Sequence, residues 1–462
     1  MEIHKFQGRQ ITADDAEYDT ARAIWNGAVD RHPRLIARCC GTADVAAAVR
    51  FAREHDLQVA IRGGGHNVAG TAVCDDGIVI DLSAMRAVRV DPDRGTVQVQ
   101  GGALWGDVDP QTQAYGLAVP GGIVSHTGVA GLTLGGGIGW LMRKHGLTID
   151  NLLAADVVTA EGELLRASAD QHPDLFWALR GGGGNFGVVT SFEFRLHHVG
   201  PNVLAGAILW DAGAAGEVLR FYRDFARSAP DELGTVVRFG PAPPLADIPE
   251  ELRWRPVVLI GACYAGSVAD GEAALRRLRA FGRPLLDLIA PTPYVNHQSG
   301  IDSTVPHGWN YYWKSTFLPE LRDELIDVIA EHAFTATSPR SYAAMFHLGG
   351  AVSRVPDAAT AFGNRRASHA ITLDGVWRSG EVFGDRDTAW TRGFFAALDR
   401  FREGVYVNFL GGDEAPDRVR EAYGDSVYRR LVDVKTTYDP ENIFHHNQNI
   451  RPRSGPTSAS AA

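Results

Sequence analysis

Cysteine and long apolar runs are both scarce in this sequence, and each shortage excludes a class of protein. Only four cysteines occur among 462 residues, too few for a disulfide framework, and two of them, Cys39 and Cys40, are neighbours with poor geometry for bridging each other. No run of 18 apolar residues could span a membrane, and the first residues lack the apolar stretch of a signal peptide. We therefore expect a cytoplasmic protein with reduced thiols and no membrane partner.

Positive charge is also in short supply. The 45 Lys and Arg residues are outnumbered by 55 Asp and Glu, which gives a formal net charge of −10. This balance argues against a nucleic-acid partner, because proteins that bind phosphate backbones concentrate basic residues on one face. None of the 16 histidines falls in an H-E-x-x-H or Cys/His spacing, so no metal is expected.

The length of the chain predicts two cores rather than one. Residues 33–62 are typical of a strand–helix–strand unit in which Thr42 caps the helix. Strands are then predicted at 78–82 and 96–100, followed by a helix at 104–115. Strands and helices mix here without strict alternation, which indicates an α+β fold.

Beyond residue 200 the pattern changes, with strands predicted at 254–264 and 370–377, a helix at 271–281 and a helical run at 416–434. The last residues are small and polar, which is typical of disorder. We therefore predict four segments: a first domain at 1–200, a second domain at 201–405, a C-terminal segment at 406–452 that returns to the first domain, and a disordered tail at 453–462.

Glycine is the residue in excess, at 52 of 462 residues against a typical share of roughly 7%. The excess gathers in five clusters, which are Gly63–Gly65, Gly101–Gly102, Gly121–Gly122, Gly135–Gly137 and Gly181–Gly184. Backbone without a Cβ can approach a ligand closely, and its N–H groups can line a concavity for a pyrophosphate. The clusters therefore predict a site for a large anionic cofactor in the first domain.

Two familiar nucleotide sites are excluded. The stretch from Gly182 to Gly187 formally matches G-x-G-x-x-G, but HPDLFWALR before it is predicted helical and Val188–Phe194 after it extended. A Rossmann site needs the reverse order, a strand before the glycines and a helix after them. No glycine loop ends in Gly-Lys-Ser/Thr, so a Walker-type site is excluded as well.

The motifs RGGGHN, VPGGIVSHTGVAGLTLGGGIGWLMRKHGLTIDNL, RGGGGNFGVV, YVNF and YDPENIFHHNQNI occur in this order along the chain. In them the chain resembles the vanillyl-alcohol-oxidase superfamily of FAD-linked oxidases, in its berberine-bridge-enzyme-like branch. The resemblance implies an α+β, two-domain FAD-binding fold. In it the C-terminal segment completes the FAD domain, and an antiparallel sheet forms the substrate domain over the isoalloxazine ring.

The resemblance also implies that His66 bonds covalently to the 8α-methyl carbon of FAD, and imidazole is nucleophilic near neutral pH. Many relatives carry a second tether, a cysteine, at the position of Val124, and no cysteine is near it here. We therefore predict monocovalent FAD. The implied cofactor-binding residues are Arg62, Gly63, Gly64, Gly65, His66, Asn67, Val124, Thr127, Gly128, Gly131, Leu132, Gly135, Gly137, Asn185, Val188, Tyr406, Asn408 and Asn447.

Within the family, the chain resembles flavin-N5-oxide oxygenases that tailor polyketides, and also 6-hydroxynicotine oxidases. In the polyketide enzymes a small pocket beside the flavin admits O2, and its residues match Val124, Thr127 and Leu132. Their substrate-side Glu falls at Ala344, however, so their acid–base chemistry is not carried over. A different substrate is expected.

Oxidation of this kind needs a base that removes a proton while hydride leaves the adjoining C–H bond. Tyr406 matches the family's Y-x-N position, where a tyrosine often is that base, although its ordinary pKa near 10 must then be lowered. His347 is the second candidate, on a strand predicted to face the ring. Lys314 could lower a phenol pKa or contact substrate, and an equally good interpretation is a solvated lysine.

These observations predict an FAD-dependent oxidase of an alcohol or similar C–H group on a small secondary metabolite, with O2 as acceptor and H2O2 as product. The alternatives are a polyketide oxygenase of the flavin-N5-oxide type, a carbohydrate or amine oxidase, and a flavin-bearing binding protein without turnover. The expected partners are a small-molecule substrate and O2, and the expected state is a monomer or homodimer.

Overall fold

The computed structural model of the protein describes residues 2–453, for Pro416 the backbone only. Within this range the strands are β1 Arg9–Ile11, β2 Leu35–Arg38, β3 Val59–Arg62, β4 Ile78–Asp81, β5 Val88–Asp91, β6 Thr96–Gln100, β7 Leu117–Ala118, β8 Leu152–Val158, β9 Leu164–Ser168, β10 Val188–Arg195, β11 His197–His198, β12 Asn202–Asp211, β13 Leu233–Pro241, β14 Pro256–Tyr264, β15 Leu286–Asp287, β16 Ala290–Pro293, β17 Asn310–Leu318, β18 Tyr342–His347 and β19 His369–Trp377.

The α-helices in the same range are α1 Tyr18–Arg22, α2 Thr42–Glu54, α3 Trp105–Gln113, α4 Val129–Gly135, α5 Met142–His145, α6 Pro173–Leu179, α7 Ala215–Arg227, α8 Val268–Arg279, α9 Tyr294–Ser299, α10 Asp323–His332, α11 Ala351–Arg354, α12 Gly384–Ala397, α13 Pro416–Tyr423 and α14 Asp425–Tyr438. Of these helices, none is long and apolar enough to cross a membrane.

The first sheet has the strand order β1-β2-β4-β3, in which β2 and β3 both run parallel to β4. Helix α2 joins β2 to β3 as predicted and buries Val45, Ala48 and Val49 against the sheet. The predicted cap at Thr42 is wrong, because Thr42 is already helical and the capping residue is Gly41 in an extended conformation. The side chain of Asp44 instead accepts the N–H of Cys40 at 3.0 Å, closing the turn that Thr42 was expected to close.

The second sheet is antiparallel throughout, in the order β5-β6-β10-β8-β9. Helix α6 ends at the glycine loop 180–187, and β10 begins directly after it. This helix–loop–strand order confirms that the G-x-G-x-x-G match does not open a dinucleotide-binding helix.

The third sheet contains eight antiparallel strands, β15-β12-β14-β13-β18-β19-β17 with β16 paired to β12. One of its faces, called here the helix face, packs residues such as Val237, Met345 and Leu373 under apolar residues of α7, α8, α10 and α12. Because side chains alternate along a strand, the residues in between point to the other face, called here the cavity face. The antiparallel sheet and the mixed first half of the chain confirm the α+β class.

The C-terminal segment returns to the first half of the chain. The predicted helical run at 416–434 is in fact two helices, α13 and α14, because Gly424 between them has φ +71°, a conformation that breaks a helix. Leu431 and Val434 of α14 are buried in the same core as Leu179 of α6. The predicted disordered tail lies outside the described residues, apart from Arg453.

Candidate active site

A cavity of about 550 Å³ lies between the glycine loops of the first half of the chain and the cavity face of the eight-stranded sheet. One end is lined by the loop after β3, which contributes Gly63 to Asn67. The other end is lined by alternate residues of β13, β18 and β19. The cavity therefore joins the glycine clusters to the predicted substrate sheet.

The glycine loop after β3 touches the loop before α4 with no room for side chains. A Cβ added to Gly64 would lie 2.5 Å from the Cα of Gly128 and 2.9 Å from Leu104. Gly128 and Gly131 line the cavity beside it, as do Val124, Thr127 and Leu132. Bare backbone from two loops thus forms one wall, where N–H groups can face an anion.

His66 is held by its neighbours on that wall. Its ring stacks on Trp25 with centroids 4.2 Å apart, and its Nε2 lies 3.1 Å from Nδ1 of His126. Burial, followed by the neighbouring His126 and His307, lowers the pKa of His66 well below its usual range. The imidazole is therefore neutral at physiological pH, which is its nucleophilic form.

Tyr406 lines the same cavity with 3% of its surface exposed. Its hydroxyl oxygen accepts two hydrogen bonds, from the N–H of Gly137 and from Nδ2 of Asn408, each at 2.8 Å. Burial raises the pKa of Tyr406 to about 12, and the two hydrogen bonds act in the opposite direction. The donors would stabilise a phenolate at this oxygen.

A flavin cofactor fits this cavity. The wall formed by Gly63–Gly65, Gly128 and Gly131 offers bare backbone to a pyrophosphate, and a Cβ at Gly64 would push its loop away from Gly128. Asn447 also lines the cavity, and its Oδ1 is buried without a partner among residues 2–453. An unpaired buried amide oxygen implies a donor that only a ligand or water would supply.

Comparison with known proteins agrees with this geometry. Residues 33–168 match an FAD binding domain model, and residues 405–451 match the model described as berberine and berberine like. An FAD-linked oxidoreductase of Dictyostelium discoideum is 34% identical over 93% of this chain and 91% of its own, and (R)-6-hydroxynicotine oxidase of Paenarthrobacter nicotinovorans is 33% identical over 96% and 97%. The chain belongs to the berberine-bridge-enzyme-like family of FAD-linked oxidoreductases.

The tertiary structure agrees with this assignment. The crystal structure of 6-hydroxy-D-nicotine oxidase from Arthrobacter nicotinovorans superimposes with a TM-score of 0.85 at 30% identity, covering 96% of this chain and 98% of that one. The chain is therefore an FAD-linked oxidoreductase along nearly its whole length.

Several residues expected to contact FAD lie just behind the cavity lining. A Cβ at Gly135 would lie 2.2 Å from Asn408, and one at Gly137, where φ is +91°, would lie 2.0 Å from Thr148. Gly135 thus lets α4 approach Asn408 and Gly137 lets the chain after α4 approach Thr148, and neither glycine lines the cavity. Arg62 also lies outside the lining, with its guanidinium hydrogen-bonded to the carbonyl of Ala21.

Asn185 holds the C-terminal segment to the glycine loop. Its Nδ2 donates to the carbonyl of Gly182 at 3.0 Å, and its Oδ1 accepts the N–H of Ile450 at 2.9 Å. Asn185 is outside the lining, whereas Val188 just after the loop lines the cavity. The ion pair between Lys435 and Asp439, absent from the sequence analysis, fixes the same junction: Nζ of Lys435 donates to the carbonyl of Asn185 at 2.8 Å.

His347 and Lys314 do not reach the cavity. On β18 the residues Ala344 and Phe346 line it, so His347 points to the helix face, where its Nε2 lies 3.1 Å from a guanidinium nitrogen of Arg143. The prediction that His347 faces the ring is therefore wrong, because side chains alternate between the two faces of a strand and its neighbour Phe346 faces the cavity. Lys314 is neither solvated nor in the cavity, because its ammonium is buried on the helix face and paired with Asp413 at 2.8 Å.

Three ionisable residues of the cavity face that line the cavity were missed by the sequence analysis: Arg238 on β13, Tyr342 on β18 and Asp374 on β19. Asp374 is the single charged residue in the strand that reads HAITLDGVW. A lone carboxyl in a predicted buried strand is unusual, so this feature of the sequence could have identified Asp374 as a candidate site residue.

Proposed function

We propose that the protein is an FAD-dependent oxidase that converts an alcohol or similar C–H group of a small secondary metabolite and passes the electrons to O2. For an alcohol the overall reaction takes two hydrogens from the substrate, giving a carbonyl compound and H2O2. The observation that carries the proposal is the Tyr406 hydroxyl, held by two donors inside the cavity that also contains His66. When bound, FAD supplies the two-electron acceptor between substrate and O2.

Tyr406 is the proposed base. Tyr406 lines a cavity large enough for a substrate, and the N–H of Gly137 and the amide of Asn408 donate to its hydroxyl oxygen. A burial-raised pKa of about 12 means that the phenol is protonated before the reaction. Tyr406 can therefore accept the proton of the substrate hydroxyl only if its own phenolic proton passes to water beforehand or in the same step, while hydride leaves the adjoining C–H bond. His347 is not used, because it lies on the helix face.

His66 is the proposed point of covalent attachment to FAD. Its position on the glycine wall and the lowered pKa of its imidazole both support nucleophilic attachment. The site at Val124 contains no thiol for a second bond. Residues 1–200 and 406–452 are proposed to hold the cofactor and residues 201–405 the substrate. A cytoplasmic location is part of the proposal, supported by four unpaired cysteines.

A second candidate is amine oxidation. It is favoured by the 33% identity to (R)-6-hydroxynicotine oxidase over nearly the full length of both chains. The cavity face offers mostly apolar side chains, such as Val236, Ala344 and Phe346, which suits a compact, partly apolar molecule better than an oligosaccharide. The lining positions of Val124, Thr127 and Leu132 also leave the polyketide oxygenase as an alternative.

The first test is the absorbance spectrum and intact mass of the acid-denatured protein. A yellow chain heavier by one FAD is expected, and His66→Ala should lose that mass while His198→Ala, an exposed histidine, should keep it. Yellow colour released to the supernatant would refute the tether, and absence of flavin would refute the whole proposal.

Substrate class is tested on the same sample by screening alcohols, amines and sugars for flavin bleaching and peroxide release. An oxidase forms H2O2 in proportion to product, without oxygen from labelled O2 in that product. Incorporation of the label would instead establish the oxygenase, and bleaching only by amines would establish the second candidate.

A further inference from the structure

The cavity face of the sheet carries one polar cluster in otherwise apolar surroundings. Tyr342 and Asp374 face each other across β18 and β19, and Arg238 lies on the neighbouring strand β13 with its guanidinium 4.4 Å from the centroid of the Tyr342 ring. All three residues line the cavity that holds the proposed reaction centre. The cluster is therefore positioned to touch whatever molecule enters.

The carboxyl of Asp374 is incompletely satisfied. It is 98% buried, its Oδ2 accepts the hydroxyl of Thr372 at 2.9 Å, and its Oδ1 has no hydrogen bond within 3.5 Å among residues 2–453, although the Tyr342 phenol lies near enough to lower the pKa of this carboxyl. A buried oxygen without a partner is costly unless a ligand or water completes it. Since Asp374 lines the cavity, a bound molecule can supply that partner.

The positive charge of Arg238 is also not neutralised by an ion pair among the described residues. Among the described residues that line the cavity it is the single Lys or Arg, and within residues 2–453 no carboxylate lies within 4.0 Å of it. Its guanidinium donates a hydrogen bond to the carbonyl of Pro241, a neutral acceptor that leaves the positive charge unbalanced. A guanidinium with a free edge in a cavity suits bidentate recognition of a carboxylate.

The protonation states of the cluster leave it net positive. Burial raises the pKa of Asp374 to about 8, so at neutral pH this carboxyl carries its proton and can donate a hydrogen bond. Burial also raises the pKa of Tyr342 well above its usual range, which keeps the phenol a donor. Asp247 also lines the cavity, but it is exposed and its charge is screened by solvent.

We propose that Arg238, Tyr342 and Asp374 form the binding site for a carboxylate, or an equivalent oxyanion, on the molecule that the cavity admits. A guanidinium, a phenol and a carboxylic acid present donors to an acceptor with two oxygens, and the one formal charge of the cluster is balanced on binding. The inference rests on the proposed function only in taking this cavity as the substrate chamber. It predicts that the substrate carries a carboxylate or an equivalent oxyanion in addition to the group that is oxidised.

Binding is tested without turnover, by calorimetric titration of the flavin-loaded protein with phenylacetate and with its neutral analogue 2-phenylethanol. At pH 7 phenylacetate should bind at least tenfold more tightly. Arg238→Gln should remove this preference, and Arg238→Lys, which keeps the charge but loses the fork, should retain part of it. Arg276→Gln makes the same change on an exposed helix position and should leave both affinities unchanged.

The pH dependence separates the role of Asp374 from a general charge effect. The ionisable groups around this carboxyl are Tyr342 and Arg238, which face it in the cluster, and Tyr311 on β17. Neither phenol nor guanidinium changes charge between pH 7 and pH 9, so loss of the Asp374 proton should weaken phenylacetate binding about tenfold over this range. Asp374→Asn keeps a donor and should make the affinity independent of pH.

Three results would overturn the inference: equal affinity for 2-phenylethanol, unchanged phenylacetate affinity in Arg238→Gln, or no binding of any carboxylate in a series from acetate to ten-carbon aryl acids. Flavin content and peroxide release are measured on the same samples. Failure of carboxylate binding in a yellow, peroxide-forming protein refutes this inference alone, whereas a protein without flavin refutes the proposed function.

Discussion

The buried ion pair at the C-terminal junction gives a prediction that does not depend on the substrate. Lys435 and Asp439 have no exposed side-chain surface and lie 2.6 Å apart. The ammonium also donates to the carbonyls of Asn185 and Phe444 at 2.8 and 2.9 Å. Lys435→Met would leave the Asp439 carboxylate buried without its counter-charge and two carbonyls without a donor.

Removing one partner of a buried pair costs about 3–5 kcal/mol. At about 1 °C per kcal/mol, from an unfolding entropy of about 2.1 cal/mol/K for each of the 462 residues, the melting temperature should fall by about 3–5 °C in scanning calorimetry. Lys435→Met/Asp439→Leu removes both charges and should recover part of the loss. Arg420→Met breaks the exposed pair with Asp425 and should cost less than about 1 kcal/mol. A Lys435→Met melting temperature equal to that of Arg420→Met would show that the pair does not hold this junction.

Three further predictions concern the cavity and its surroundings. Tyr406→Phe removes the proposed base and should slow substrate-driven flavin reduction by roughly 10²–10⁴-fold, with a stability loss of about 1–3 kcal/mol because the buried N–H of Gly137 loses its acceptor; a change under threefold in stopped-flow absorbance would refute the role. Gly64→Ala places a Cβ 2.5 Å from the backbone of Gly128 and should lower the flavin content per chain, whereas Gly393→Ala, which meets nothing within 4 Å, should not; equal flavin content would contradict the close-approach argument. Burial raises the pKa of Asp109 to about 7, so the folded chain retains a proton there that the unfolded chain releases above about pH 4, and the stability contributed by this carboxyl is lost as pH rises from about 4 to about 7. The free energy of unfolding in urea should therefore change less favourably with pH in the parent protein than in Asp109→Asn over this range, and identical slopes would count against a protonated Asp109.

The sequence predicted local elements and motif-bearing loops well because both depend on nearby residues. The strand–helix–strand unit at 33–62 follows from hydrophobic periodicity, and the order of α6, glycine loop and β10 was legible from flanking residues. Errors occurred where a single residue decides the geometry. Gly424 divides one predicted helix into two through its positive φ, and Gly41 rather than Thr42 precedes α2.

The candidate site was predictable only in part. His66, Val124, Thr127 and Tyr406 were found from motifs, and all four line the cavity. His347 was chosen for its chemistry and its strand, but a strand does not reveal by composition alone which face is covered by helices. The packing of α7, α8, α10 and α12 on one face decided that Ala344, not His347, meets the cavity.

The sequence by itself determined the α+β class, the glycine-lined cofactor loops and the family, because motifs and hydrophobic periods are properties of short segments. Only the tertiary structure decided which side chains share the cavity. Strand pairing brings together Arg238, Tyr342 and Asp374 from three segments of the chain, of which the first and last residue lie 136 positions apart. Contacts across such distances depend on sheet register and on which face the helices cover, and neither is encoded in the spacing along the chain.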